Sequence, residues 1–220
     1  MIDLHTHTVY SDGELIPAEL ARRAKAAGYR AMAFTDHVDH SNIEHILAAL
    51  SRLVHDYSLH AEIELLAGVE LTHVPPPLIP DLVQKARDLG AQLVIVHGET
   101  IVEPVVQGTN HAAIMSGADI LAHPGLISAQ DAGLAAENNV LLEITTRKGH
   151  ALTNGHVLAM AREHGAGLVI NNDAHAPGDL VDRKHRQQVA LGAGMTEQEI
   201  IQAEKNAQHI LAAAGKTSAE

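Results

Sequence analysis

The chain has 220 residues, no cysteine, 17 histidines and a formal net charge of −12. Lack of cysteine excludes disulfides and thiolate metal sites, and the acidic balance argues against an extended nucleic-acid footprint, which needs a basic surface. No apolar run approaches the roughly 18 residues that span a bilayer, and the N-terminus enters a strand-like run with no leader pattern. A cytoplasmic protein without a membrane partner is expected. Aromatic residues are 2% of the chain, so the core must be built from Ala, Val, Ile and Leu.

Short apolar runs alternate with amphipathic stretches along the whole sequence. The first strand is expected at about 2–5 and ends in His5-Thr6-His7, with Ser11-Asp12-Gly13 in the following loop. A helix near 17–27 has Pro17 in its first turn and Gly28 past its end. The second strand, Ala31 to Phe34, runs into Thr35-Asp36-His37, and Ser41 with Glu44 predicts a capping box for a helix near 42–58. The third strand, Ile63 to Val69, ends in Glu70, and a helix near 79–89 closes at Gly90. The fourth, Gln92 to Val96, ends in His97, and a short helix around 108–116 follows. The fifth, Asp119 to Ala122, ends in His123-Pro124, with a helix near 128–138. The sixth, Val140 to Ile144, leads to a loop from Thr145 to Asn154 and a helix closed by Gly165. The seventh, Gly167 to Ile170, ends in Asn171-Asn172-Asp173-Ala174-His175. Helices near 178–191 and 196–213 finish the chain, the second capped by Thr196 and Glu199.

Strands alternating with helices predict a parallel sheet. Most of the runs are apolar throughout, as expected where both strand faces are buried. About seven such units in 220 residues predict an α/β barrel forming a single domain over residues 1–215, with 216–220 as a frayed tail. In such barrels the working residues sit at the C-terminal ends of the strands. This chain places His5, His7, Asp12, His37, Glu70, His97, His123, Asp173 and His175 there. Crowding these groups at one rim, with no Lys or Arg among them, would be costly without a cation. They exceed the roughly four to six ligands of a single ion. Imidazole and carboxylate without thiolate suit zinc, manganese or iron. Glu70, with two oxygens, is suited to bridge two ions. Clustered divalent ions acidify water and clamp phosphate oxygens, so the chemistry expected is hydrolysis, most naturally of a phosphoester.

The motifs His5-Thr6-His7 with Ser11-Asp12-Gly13, Thr35-Asp36-His37, Gly68-Val69-Glu70, His97, Leu121-Ala122-His123-Pro124 and Asp173-Ala174-His175 resemble, in order, those of the PHP (polymerase and histidinol phosphatase) family. The resemblance spans residues 5 to 175. It implies a distorted (β/α)7 barrel holding three divalent ions at its C-terminal rim. By motif, the first ion takes His5, His7, Glu70 and Asp173; the second Asp12, His37 and His175; the third Glu70, His97 and His123. Asp12 stands where some relatives have His, which bears on metal preference. A hydroxide bridging the ions would attack phosphorus. Asp12 and His175 are the candidate catalytic residues. The leaving-group acid stays open among a metal-bound water, Asp12 and a rim His.

Arg147 and Lys148, after the sixth strand, are candidate phosphate clamps, Arg147 favoured for bidentate pairing. His73 is a candidate substrate contact, and Thr72, Glu99, Glu103 and His111 fall in or near rim loops. Arg183, Lys184, His185 and Arg186 read as a solvated helix face. The expected activity is a phosphatase on a small phosphorylated metabolite, like histidinol phosphatase. The alternative is a nuclease-type phosphodiesterase on short oligonucleotides or nucleotide bisphosphates. That activity calls for a basic track with stacking aromatics, and Tyr10 is the one well-placed aromatic. A metal-dependent amidohydrolase also opens with HxH, but often carries a modified Lys after strand four, where this chain has His97. A non-catalytic relative would have lost ligands, and every ligand position is filled.

Overall fold

The structure, a computed structural model, describes residues 1–57 and 60–217. The strands are β1 (Ile2–Asp3), β2 (Ala31–Phe34), β3 (His37–Val38), β4 (Glu64–Leu71), β5 (Leu93–His97), β6 (Ile120–Ala122), β7 (Leu141–Thr145) and β8 (Leu168–Asn171). The helices are α1 (Pro17–Ala26), α2 (Ile43–Tyr57), α3 (Ile79–Asp88), α4 (Thr109–Met115), α5 (Ala129–Asn138), α6 (Asn154–His164), α7 (Arg183–Gly192) and α8 (Glu197–Thr217). Every ladder is parallel, in the order β1-β2-β4-β5-β6-β7-β8, with β3 also on β4.

The extra short strand does not add a stave. Ala31 pairs with Glu64 and His37 with Glu70, so β2 and β3 hold the same register on β4. The ladder breaks only at Thr35 and Asp36. There Thr35 donates its backbone N–H to Thr6 O at 2.9 Å. The result is the distorted, nearly closed seven-stave (β/α)7 barrel. Its seam lies between β1 and β8, which share no ladder. A parallel bridge from Thr6 to Ala174 and a hydrogen bond from His7 N to Ala174 O (2.8 Å) draw it together just past the strand ends.

Strand alternation explains both the core and the position of the rim. Side chains two apart share a face. Leu66, Gly68 and Glu70 lie on one face of β4, and Leu93, Ile95 and His97 on one face of β5. The apolar members fill the lumen with Ile2, Leu4, Ala31, Ala33, Ile120, Ala122 and Val169. A second apolar layer, including Met32, Phe34, Val94, Val96, Leu121 and Leu142, joins the outer strand faces to the helices. Helix α8 packs on β8 and β1 and adds Ala207, Leu211 and Ala214 to the lumen cluster.

Several local expectations change. Thr196 and Glu199 form the expected capping box, but Ser41 and Glu44 are engaged elsewhere. Ser41 donates its N–H and hydroxyl to Asp39, and Glu44 pairs with Lys85. Asp39 lies just upstream and captures both Ser41 donors first. The helix expected at 178–191 begins at Arg183. Pro177–Asp179 form a 3-10 turn, and Asp182 caps the helix by accepting from His185 N at 2.7 Å. Arg186 is not on a solvated face: it is buried and donates to Ile170 O. Helix α8 continues to Thr217, into the expected tail, and residues 218–220 lie outside the described residues. No helix among the described residues is long and apolar enough to cross a membrane.

Leu211→Ala would open a void where α8 meets the lumen. The expected cost is about 2–4 kcal/mol of stability, measured by urea unfolding. A change within about 0.5 kcal/mol, the scatter of surface substitutions, would contradict this role for α8.

Candidate metal centre

The strand ends converge on Glu70, whose carboxylate is fully buried. Its Oε1 lies 3.3 Å from His5 Nε2 and 3.8 Å from His123 Nε2; its Oε2 lies 3.6 Å from His7 Nε2 and 2.7 Å from His37 Nδ1. Asp173 Oδ1 is 3.1 Å from His7 Nε2 and 3.6 Å from His5 Nε2, and its Oδ2 is 3.6 Å from His123 Nε2. Asp12 Oδ1 is 3.2 Å from His175 Nε2 and 3.4 Å from His37 Nε2. Four overlapping groups have ligand atoms close enough to share an ion: His5-His7-Glu70, His7-Asp12-His37-His175, Glu70-His97-His123 and His5-His123-Asp173. The nine rim residues named from the sequence therefore lie in one cluster. The grouping parallels the ligand sets implied by the family motifs, with His7 also reaching the Asp12 group and Asp173 also reaching His123.

The donor set fits divalent cations. His5 Nε2, both ring nitrogens of His7, Glu70 Oε1 and His123 Nδ1 are buried without a hydrogen-bond partner. Leaving buried polar atoms unsatisfied costs about 1–3 kcal/mol each. Bound cations would satisfy several of them at once, and oxygen and nitrogen donors suit zinc, manganese or iron.

The surroundings hold these side chains in place. Thr8 N and Oγ1 and Ser11 Oγ all donate to Asp36, at 2.8, 2.9 and 2.7 Å. These bonds fold the loop bearing Asp12 back over the barrel. A Cβ at Gly13 would lie 2.4 Å from His7 O, so that tight return requires glycine. His123 and Asp173 adopt positive φ, 25° and 53°, and so aim their side chains away from the course of their own strands.

Glu143 on β7 is a residue the motif reading passed over. Its Oε1 accepts from His5 Nδ1 at 2.9 Å and from Asn171 Nδ2 at 2.8 Å; its Oε2 accepts from His123 N at 3.1 Å. This bond puts the His5 Nδ1 proton toward Glu143 and leaves Nε2 facing Glu70, the carboxylate–histidine pairing common behind metal ligands. Strand parity carried the signal, because Glu143 is the acid in an otherwise apolar run. Asp3 does similar work at the seam, accepting from Asn172 N and Nδ2 at 3.1 and 2.6 Å. Burial raises Asp3 to about 6.

Charges in the cluster divide by position. Burial alone would lower His5, but Glu143, Glu70 and Asp173 raise it well above the ordinary imidazole range. His37, against its own burial, is raised by Glu70 and Asp12 to about 10. Burial, reinforced by neighbouring imidazoles, lowers His7 and His123 well below that range. Against burial, His5 and His37 hold Glu70 far down. Desolvation outweighs its partners at Asp173 and pushes it to about 7.

The other candidates divide. Arg147 reaches the cluster: Nη1 donates to Asp173 O at 3.0 Å and lies 2.7 Å from His175 Nδ1, and Nε lies 3.4 Å from Asp173 Oδ2. Lys148 is exposed. His73 stacks on His97 with centroids 5.3 Å apart. Thr72 Oγ1 lies 2.6 Å from His37 Nδ1. Glu99 accepts from Gly108 and Asn110 N, bracing its own loop, and His111 pairs with Asp131 on α5. His150, not picked out from the sequence, stacks on His123 with centroids 4.2 Å apart. Its short 3-10 turn gave no periodic signal.

Two predictions follow from this geometry. Glu143→Gln should weaken divalent-ion affinity by about 10–100-fold, read by titration against a competing chelator; wild-type affinity would refute its role. Second, His5 and His37 carry protons in the metal-free protein and must lose them to bind a cation. Metal loading should therefore release protons, and affinity should rise with pH up to about 10, where His37 titrates. Calorimetry in buffers of different ionisation enthalpy reads this directly; proton uptake would contradict it.

The chain is similar to several known proteins. Residues 3–96 match the PHP domain. An uncharacterized protein of Methanocaldococcus jannaschii is 50% identical over 200 residues, 90% of this chain and 92% of that one. A protein named probable phosphatase from Shewanella pealeana is 31% identical over 212 residues, 86% of this chain and 83% of that one. The crystal structure of a candidate histidinol phosphatase from Listeria monocytogenes shares the fold, with a TM-score of 0.60 and 11% identity, covering 85% of this chain and 99% of that one. With its ordered motifs gathered at one barrel rim, the chain belongs to the PHP family.

Proposed function

We propose that the protein is a phosphatase acting on a small phosphorylated metabolite, in the manner of histidinol phosphatases, with His5, His7, Asp12, His37, Glu70, His97, His123, Asp173 and His175 holding three divalent ions of zinc, manganese or iron. The observation that carries the reading is a guanidinium, Arg147, set directly against a buried His and carboxylate cluster. Divalent ions held there would acidify water for attack and offset charge on the phosphoryl oxygens.

The chain's own residues do the rest. His5, His7, Glu70, His97, His123 and Asp173 are buried, while His37, His175 and Asp12 stand at the mouth. Substrate therefore meets the Asp12 side first. In the metal-free protein Arg147, which can only donate, faces His175 Nδ1, and His175 Nε2 faces Asp12. Asp173 also holds the guanidinium, through its backbone O to Nη1 and its Oδ2 to Nε. Fixed there beside the cluster, Arg147 would offer its remaining N–H donors to phosphate oxygens. Asp12 and His175, at the mouth, are the groups placed to hold or pass the proton that the leaving group takes. Lys148, exposed next to Arg147 in the chain, and His73, exposed and stacked on His97, complete the substrate contacts in this reading.

The phosphodiesterase reading draws little from the surface. Tyr10 is partly exposed at the rim and meets His45 edge-on. Tyr29 and Phe34 are buried, and Tyr57 ends α2. The described residues thus offer a single aromatic at the mouth for base stacking.

The decisive assay compares an aryl phosphate monoester with its diester in the presence of Mn²⁺, Zn²⁺ or Fe²⁺. Monoester turnover lost on chelation and restored by one metal is the expected result; exclusive diester turnover would overturn the proposal. Glu70→Gln should abolish turnover and lower metal content together, and full metal content in that variant would remove its bridging role. Arg147→Ala should raise KM by about 10–100-fold, the loss of a charge-assisted bond, with less effect on kcat. Unchanged kinetics would remove Arg147 from the site.

A further inference from the structure

Beside the cluster lies a second convergence of metal-binding side chains around Glu103, in the loop between β5 and α4. Glu103 Oε2 is 3.2 Å from His97 Nε2 and 3.6 Å from His73 Nε2; Oε1 is 3.3 Å from His150 Nε2. Each imidazole is oriented by its surroundings. His97 Nδ1 lies 3.1 Å from Gly98 O, which can only accept, so Nδ1 carries the proton. His150 Nδ1 meets Thr100 Oγ1 at 2.8 Å, and the ring stacks on His123. His73 holds a left-handed backbone, φ 54°, and its ring stacks on His97.

With Nδ1 turned to Gly98 O, His97 presents Nε2 to the Glu103 carboxylate, whose Oε2 is 3.2 Å away. A proton or a cation must lie between the two atoms. The separation matches that of two donors on one ion with bonds of about 2.0–2.2 Å. His97 Nε2 also belongs to the Glu70-His97-His123 group, which offers an ion three protein ligands. We propose that Glu103 is the fourth protein ligand of that ion, with His150 and His73 supporting its carboxylate from the outer side. The inference rests on the reading of the rim as a metal centre. It assigns this ion a closed set of protein donors and leaves the open positions to the ions on the Asp12 side. Closed sets hold an ion in place, whereas sites that react keep a position free.

The test is a Zn²⁺ titration of the chelator-stripped full chain against a chromophoric competitor, with bound zinc counted after desalting. Wild type should bind three ions. Glu103→Gln should lose the same single ion as His97→Ala, with affinity for it down by more than about 100-fold, beyond the range of an outer support. Retention of the other two ions and an unchanged far-UV spectrum show that the variant is folded. Glu103→Asp withdraws the carboxylate by one methylene and should weaken the same ion. His150→Ala should weaken it by about 10-fold, as a support does. Three ions retained in Glu103→Gln, with affinity within that outer-support range, would overturn the assignment. Wild type binding only two would overturn it as well. Wild type binding none would instead bring down the metal-centre reading on which it rests.

Discussion

The structure depends on one buried carboxylate. Glu70 is surrounded by imidazoles from several strands and has its two oxygens turned to different groups of them. An ionised carboxylate in that position is unstable without positive charge close by. In the metal-free protein protonated His5 and His37 supply it. The same arrangement is the one a pair of cations needs. Protons on these imidazoles thus supply the positive charge that bound cations would supply.

The barrel and the cluster are two outcomes of one periodicity. Parallel strands alternate their side chains, and the inward set passes from Leu and Ile in the lumen to Glu70 and His97 at the rim. The chain then departs from regular strand geometry where the ligands are most crowded. The ladder breaks at Thr35 and Asp36, and His123 and Asp173 turn to positive φ. At the seam Thr6 bridges Ala174 within the two ligand motifs themselves. Closing the barrel and assembling the cluster are therefore the same event.

Around the ligands lies a polar layer of different logic. Glu143 orients the His5 ring and joins Asn171 and the His123 backbone, while Asp3 holds Asn172 and Asp36 holds Thr8 and Ser11. Arg147 stands against His175 and Asp173, and the Glu103 carboxylate faces His97.

The sequence by itself determined the seven staves, the parallel sheet and the nine rim residues. Apolar runs of strand length and a polar residue at each run's end are local features, readable without knowing which strands meet. The sequence also marked Arg147 and placed Glu103 in a rim loop, though without a partner for either. Only the tertiary structure decided that β3 continues β2 in register, that Arg186 is buried and that Asp182 starts α7. Only it decided that Glu143 stands behind His5 and that His150 and His73 meet at Glu103. These depend on which residues far apart in the chain become neighbours. Residues 5 and 143, or 103 and 150, share no periodic pattern. Their contact arises from the closure of the barrel, and so does the chemistry that follows from it.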